Sequence, residues 1–329
     1  MTSPGDRVFV TGGTGFVGGA IVRRLVADGR SVRALARSAE SHRALADMGA
    51  EPVGGDVEDG NGLADKMAGC DVVYHAAGVN AFCLRNTSPL FRVNVGGSRN
   101  VVGAAAHAGV RRIVYTSSAS TLGERRGTVA HEHTPHRGFF LSNYERSKYE
   151  AERAVLNLAE ELGVDVVSVN PSSVQGPGRT GGTGRIFIMY LKGQLRFFVD
   201  TRVSLVDIDD CTEGHVLAER FGRPQNRYVL NGSVLTSRQA LEIAARVAGA
   251  GAAPRTIPGS VAIAGARAIE IGAAIARRPP PVCGEMVRTL LHGHAYDGSK
   301  AERALGLRYT PVEETLKKTA EWLRAQGLI

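Results

Sequence analysis

Tyr144 and Lys148 stand four residues apart in Ser142-Asn143-Tyr144-Glu145-Arg146-Ser147-Lys148. On a helix that spacing puts both side chains on one face. A free tyrosine has a pKa of about 10 and is a poor acid or base near neutrality. A nearby ammonium favours the phenolate, and a drop of three pKa units takes about 4 kcal/mol. Such a pair arises by chance in many helices, so its meaning depends on its company. Arg112-Ile113-Val114-Tyr115-Thr116-Ser117-Ser118 reads as a strand ending in hydroxyls. A serine there can hydrogen-bond the same substrate oxygen as the tyrosine.

A third element opens the chain. Thr11-Gly12-Gly13-Thr14-Gly15-Phe16-Val17-Gly18 joins an apolar run to an amphipathic one, with Gly12, Gly15 and Gly18 three apart. Such a turn tolerates positive φ, lets the backbone approach a pyrophosphate, and aims helix N–H groups at it. The pattern therefore points to a dinucleotide. At the end of the second apolar run, where a carboxylate would hold the ribose of NAD, stand Ala36 and then Arg37. A guanidinium there can pair with a 2′-phosphate, and Arg33 lies two steps away on the same strand face. The expected cofactor is NADP(H) in preference to NAD(H).

These residues need a frame. Short apolar runs at 7–11, 31–36, 51–56, 71–75, 112–117 and 165–170 read as strands. Helical patterns at 16–28, 92–108 and 144–162 lie between them. Strands alternating with helices imply a parallel sheet covered on both faces. The expectation is an α/β fold, a Rossmann-type doubly wound parallel sheet. The domains expected are 1–174 for the cofactor, with some later segments returning to the sheet, and a smaller, mostly helical lobe over 175–329. A helix over 185–191, strands at 196–199 and 203–208 and Ala-rich helices from Arg238 fill that lobe. Ser299 and Glu302 form a capping-box pattern that starts a helix at Ser299. Pro311 heads a terminal amphipathic helix reaching Gln326.

Composition narrows the class. The chain has 329 residues, 43% apolar and 22% charged, which suits a globular protein and excludes disorder. The net charge is +8, but no run of five or six basic residues occurs, so anionic small molecules are expected and nucleic acid is not. Cys70, Cys83, Cys211 and Cys283 form no CxxC pair; unpaired thiols in a reducing, cytoplasmic setting are the expectation. Met1–Asp6 is too short and polar for a signal peptide. The stretch 261–276 is interrupted by Arg267 and Glu270, which excludes a spanning helix. A helix packed on the protein's own core is expected there ahead of one lying on a membrane or partner. His131, His133 and His136 are close in sequence, yet no metal is expected.

Taken in order, the motifs resemble the extended short-chain dehydrogenase/reductase family, also called the NAD-dependent epimerase/dehydratase family. TGGTGFVG matches its glycine motif, Asp56-Val57 the pair flanking the adenine, and Ala76-Ala77-Gly78 after His75 the turn beneath the cofactor. Asn94 lies in the helix motif NVGGSRN. Pro171, Ser173 and Val174 lie in the stretch resembling the one that holds the nicotinamide. The resemblance implies Gly12, Thr14, Gly15, Phe16, Val17, Arg37, Asp56, Val57, Ala76, Ala77, Gly78, Pro171, Ser173 and Val174 as cofactor contacts, with Tyr144 and Lys148. It also implies Ser118, Tyr144 and Lys148 as the catalytic triad.

Within the family the look is of the branch around dihydroflavonol 4-reductases and 3β-hydroxysteroid dehydrogenases. Ser118-Ala119-Ser120 replaces the Thr-Asp-Glu of dehydratases, and Val203, beside Arg202, stands where sugar-nucleotide enzymes carry an arginine. The expected activity is NADP-dependent reduction of a mostly apolar ketone, or the reverse oxidation of an alcohol. A nucleotide-sugar epimerase and a non-catalytic cofactor-sensing protein are the alternatives. Phe82, Leu84, Phe139, Phe140, Ile186, Met189 and Tyr190 are the expected substrate wall. The partner expected is a small carbonyl or alcohol, and the chain is expected as a monomer or homodimer.

Overall fold

The structure is a computed structural model that describes residues 7–249 and 254–329. The polar lead Met1–Asp6 and part of the Ala-rich region after Arg238 lie outside the described residues.

Seven strands form one parallel sheet: β1 (Arg7–Thr11), β2 (Ser31–Ala36), β3 (Glu51–Gly54), β4 (Val72–His75), β5 (Arg112–Thr116), β6 (Asp165–Pro171) and β10 (Arg227–Leu230). Their order is β10-β6-β5-β4-β1-β2-β3. The order reverses between β1 and β4, so a crevice opens at the carboxyl ends of those two strands. Alternation along the strands explains the two covered faces. Val8 and Val10 face α1 (Phe16–Ala27), α2 (Ala39–Asp47), α8 (Ile208–Phe221) and α12 (Ser299–Leu305). Phe9, Val73 and Ile113 face α3 (Leu63–Met67), α5 (Ser98–His107) and α6 (Asn143–Leu162).

Three expectations need correction. The helix expected at 92–108 is divided: after the short α4 (Ser88–Phe91), residues Arg92–Gly97 form a π-helical turn before α5. Ser299 starts α12 but makes no capping box; it is the first helical residue, and Asp297 Oδ1 accepts its N–H at 2.9 Å. The lobe is mostly helical, as expected. Beside α7 (Thr183–Leu191), α9 (Ser237–Ala248) and α13 (Val312–Ala325) it carries two small sheets. One joins β7 (Ser173–Gln175), β9 (Arg202–Asp207) and β11 (Ser233–Thr236), and the other joins β8 (Phe197–Phe198) and β12 (Arg255–Thr256).

The third concerns α10 (Gly259–Ile275), which leads to α11 (Gly284–His292). Its apolar residues were expected to pack on the core. Only Ala266 among its 17 residues is buried.

Candidate active site

The first βα turn is built around two close approaches. Gly12 has φ +72°, and a Cβ there would lie 2.5 Å from Ala77 N. A Cβ on Gly18 would lie 2.1 Å from Gly12 O. Only glycine lets the turn pass so close to the end of β4 and to the first turn of α1. Thr14 and Gly15 are left exposed at the N-terminus of α1, with Phe16 and Val17 half-buried behind them. That is an open cradle at a helix N-terminus, whose first-turn N–H groups lack partners within the helix, and it fits a pyrophosphate. Thr11 Oγ1 links the turn to β4 through His75 Nδ1 at 2.7 Å and accepts Ala77 N–H at 3.3 Å. Burial, then the Lys148 charge, holds His75 near pKa 3, so the imidazole is neutral.

Ala36, Arg37, Ser38, His42, Arg43, Gly54 and Gly55 line an open recess of about 570 Å³ at the carboxyl end of β2. Arg37 lies 3.8 Å from Asp56 and is 68% exposed. Ser38 caps α2 by accepting Ser41 N–H, so that helix end also faces the recess. Arg33 does not join it. Its guanidinium pairs with Glu51 at 3.3 Å and donates to the Lys66 and Ala68 carbonyls. The basic residues that sequence reading missed are His42 and Arg43, on α2 just past Arg37. Val57 is buried, and a Cβ on Gly97 would touch it, so the Asp56-Val57 pair is braced against the π turn.

The π turn has a positioning role. Asn94 Oδ1 accepts Val79 N–H at 2.7 Å, and its Nδ2 donates to Val79 O and Ser147 Oγ. It thus ties the loop after Gly78 to the helix of Tyr144. A Cβ on Gly78 would lie 3.9 Å from Lys148 Nζ, so that glycine and that lysine share one wall.

Ser142 caps α6 by accepting Glu145 N–H at 3.1 Å, which sets Tyr144 in the first turn and Lys148 one turn later. Ser118 Oγ meets Ser120 Oγ at 2.9 Å and lies near enough to the Tyr144 phenol to act on its titration. Burial raises the phenol above its usual pKa, while Ser118 and the Arg179 charge pull it down. Lys148 Nζ donates to Thr116 O at 2.8 Å and to Tyr115 Oη at 3.4 Å. Burial lowers its pKa to about 8, with Glu152 opposing. Ser118 is held by Asn170, whose Nδ2 donates to the Ser118 carbonyl at 3.2 Å. Asn170, Thr121, Ser168 and Arg227 all converge on the buried Glu152. This buried network beneath Ser118 and Lys148 had no sequence signal, because its members come from four separate elements.

Arg179 is the other residue the sequence did not flag. Its guanidinium lies 5.3 Å above the Phe16 ring, and its Nε is buried without a hydrogen-bond partner. A Cβ on Gly182 would lie 2.9 Å from Arg179 Nη2, and one on Gly184 2.7 Å from its Cγ. The glycine-rich loop after Pro177 therefore leaves room for this side chain. Pro171, Ser173 and Val174 lie at the end of β6 and in β7, where Ser173 Oγ meets Thr183 Oγ1 at 2.9 Å.

The expected substrate wall divides. Phe82 packs on Tyr144, with ring centroids 5.7 Å apart. Leu84, Phe139 and Ile186 are exposed, and Met189 is half-buried. Tyr190 belongs instead to the lobe core with Ile243, Val312 and Leu316. Phe140 packs at a tilt against the rings of His136 and Tyr149, with centroids 5.0 and 5.4 Å away. Cys83, beside Phe82, forms a disulfide with Cys283, which corrects the expectation of unpaired cysteines. Cys70 and Cys211 are free and buried. Glu285 reinforces the join: Oε1 accepts Cys83 N–H at 2.7 Å and Oε2 accepts Asn143 N–H at 3.1 Å.

Among the described residues, the acid and imidazole groups close enough for a metal are Glu124, His292 and His294, not His131, His133 and His136. Their contacts are those of a hydrogen-bonded set. His294 Nδ1 lies 2.6 Å from Glu124 Oε1, and His292 Nε2 lies 3.1 Å from the Glu124 carbonyl.

With this geometry in hand, comparison with known proteins is decisive. Residues 8–230 match the NAD dependent epimerase/dehydratase family. The chain belongs to that family. A Synechocystis sp. relative carrying the name of dihydroflavonol 4-reductase is 32% identical, with 98% of this chain and 96% of that protein covered. A 4-hydroxy-2-methyl-3-oxo-4-farnesyl-3,4-dihydroquinoline-1-oxide ketoreductase from Stigmatella aurantiaca is 33% identical, over 79% of this chain and 78% of its own. The solved structure of gox2253 superimposes with a TM-score of 0.85 at 30% identity, covering 98% of this chain and 99% of that one. Membership makes the chain an oxidoreductase of the extended short-chain kind that uses a nicotinamide cofactor. None of its described helices is long and apolar enough to cross a membrane.

Proposed function

We propose that the protein is an NADP-dependent carbonyl reductase acting on a mostly apolar ketone. The observation that carries the cofactor choice is the basic recess at the end of β2, where Arg37, His42 and Arg43 surround open space and no carboxylate occupies the ribose position. An aromatic lid, Phe82 against Tyr144, supports the substrate class. The Stigmatella relative, named as a ketoreductase of a farnesylated ring, agrees with it.

When bound, the cofactor supplies the hydride. The chain's own residues manage the proton and the oxygen. Burial keeps the Tyr144 phenol protonated at neutral pH, which is the form a reduction needs. As the carbonyl oxygen gains charge, Tyr144 gives it the proton and Ser118 Oγ holds it. Lys148 stays mostly cationic at pH 7, oriented by the Thr116 carbonyl toward the Gly78 wall where the nicotinamide ribose would lie. Arg179 adds a second cation whose charge reaches the Tyr144 phenol. Phe82 and the loop fastened by Cys83 exclude water from the reacting end.

The test is NADPH consumption against a panel of ketones, sterols and nucleotide sugars. Turnover of apolar ketones with poor inhibition by UDP or dTDP supports the reading. Strong competition by a free nucleoside diphosphate at saturating cofactor moves the assignment to an epimerase.

A further inference from the structure

Helix α10 is built inside out. Projected at 3.6 residues per turn, Val261, Ala264, Ala268, Ile269, Ile271 and Ile275 fall on one arc of roughly 160°, and the other positions on that arc are Gly. No charged residue lies on it. All these positions are exposed: Ile271 is 63% and Ile275 80% accessible. The inward side holds Ala266 and Glu270, and Glu270 is engaged, its Oε1 accepting Gly284 N–H at 2.9 Å. A helix that turns Ile269, Ile271 and Ile275 outward, with Ile263 half-buried beside its inward carboxylate, calls for a partner on the outer face.

The charge around the arc says which kind. Arg267 flanks it, and Arg277 and Arg278 follow its end; between residues 259 and 281 Glu270 is the only acid. Arg85 joins them, its Nη2 donating to the Ala273 and Arg278 carbonyls. Two copies meeting through this face would press like charges together with no exposed carboxylate to answer them. An anionic lipid surface answers them all, and it accepts the isoleucines below its headgroups.

The face is also continuous with the site. Leu84 and Arg85 follow Cys83, which is bonded to Cys283 just before α11, and Phe82 on the other side of Cys83 covers Tyr144. We infer that α10 and the 84–85 loop seat the protein on the surface of a membrane carrying anionic lipids, so that an apolar carbonyl enters the cleft from the bilayer. The docking stands on the helix alone; the entry of substrate rests on the reductase reading above.

The experiment is flotation of the full chain with phosphatidylcholine vesicles, with and without phosphatidylglycerol. Expected is co-flotation with the phosphatidylglycerol vesicles, weakened by salt. Ile271→Glu/Ile275→Glu should cut the bound fraction on the order of tenfold or more, and Arg277→Ala/Arg278→Ala should remove the preference for phosphatidylglycerol. Turnover of a short water-soluble ketone by the Ile271→Glu/Ile275→Glu variant should match the parent, which shows that it is folded. No flotation at low salt, or equal flotation of the double glutamate variant, overturns the docking. So does a parent dimer in sedimentation that Ile271→Glu/Ile275→Glu splits, because a second copy then covers the face. Failed flotation with intact ketone turnover sinks the docking alone; flotation without any NADPH turnover sinks the reductase reading alone.

Discussion

Replacing Arg37 with Ala should separate the two nicotinamide cofactors. Arg37 is 68% exposed and only loosely paired, 3.8 Å from Asp56, so it is free to turn toward a 2′-phosphate. A charge-assisted hydrogen bond to phosphate is worth about 1.5–3 kcal/mol. Exposure and salt screening hold it near the lower end, about 1.5–2 kcal/mol, which is roughly ten- to thirtyfold in Kd. NADH has no 2′-phosphate, so its affinity should change by less than about twofold on the same argument. His42 and Arg43 share the recess, so Arg37→Ala/Arg43→Ala should lose more, and high salt should narrow the difference. Fluorescence titration of NADPH and NADH with the parent and both variants reads all of this. Equal weakening of the two cofactors by Arg37→Ala, or tighter NADH binding by the parent, would refute the reasoning.

Arg179→Met removes the cation that pulls the Tyr144 phenol down, so the pH profile of alcohol oxidation should move to higher pH; an unmoved profile means that Arg179 does not act on Tyr144. Burial holds His75 near pKa 3 and His215 near 4, below the usual value of about 6.5. The unfolded chain takes up these protons first as pH falls, so stability is full above about pH 6.5 and lost progressively toward pH 4. Thermal melts should show that loss, and His215→Gln should flatten it; an unchanged slope would count against the assignment. The Cys83–Cys283 bond closes a 200-residue separation, so Cys83→Ser/Cys283→Ser should lower stability by about 2–5 kcal/mol in denaturant melts, and a change near zero would contradict this.

Most of the site's frame was legible because it is local. The glycine triplet, the strand ending in Ser117-Ser118 and the Tyr144–Lys148 spacing each fit within eight residues, and β1 and β2 start and stop where periodicity placed them. What was not legible depends on the third dimension. Arg33 reads as a neighbour of Arg37, yet the strand twist and the open carbonyls of Lys66 and Ala68 draw it elsewhere. Tyr190 reads as a cleft residue, but the outward or inward facing of α7 is set by α9 and α13, more than fifty residues on. Cys83 and Cys283 carry no spacing signal, since only the packing of α11 on the substrate loop brings them together. Helix α10 misled for a simpler reason: apolar composition predicts burial only when something of the same chain covers it.

The central claim is that Tyr144 completes a hydride transfer to a carbonyl carbon, and a labelled single turnover tests it most directly. NADPH carrying deuterium at both C4 positions is mixed with the enzyme and its best ketone, and the alcohol is analysed by mass spectrometry. The account predicts one deuterium at the new carbinol carbon per cofactor oxidised. It also predicts a Tyr144→Phe variant that binds NADPH normally but transfers on the order of 10² times more slowly. Deuterium absent from the product, or transfer by Tyr144→Phe at the parent's rate, would contradict it.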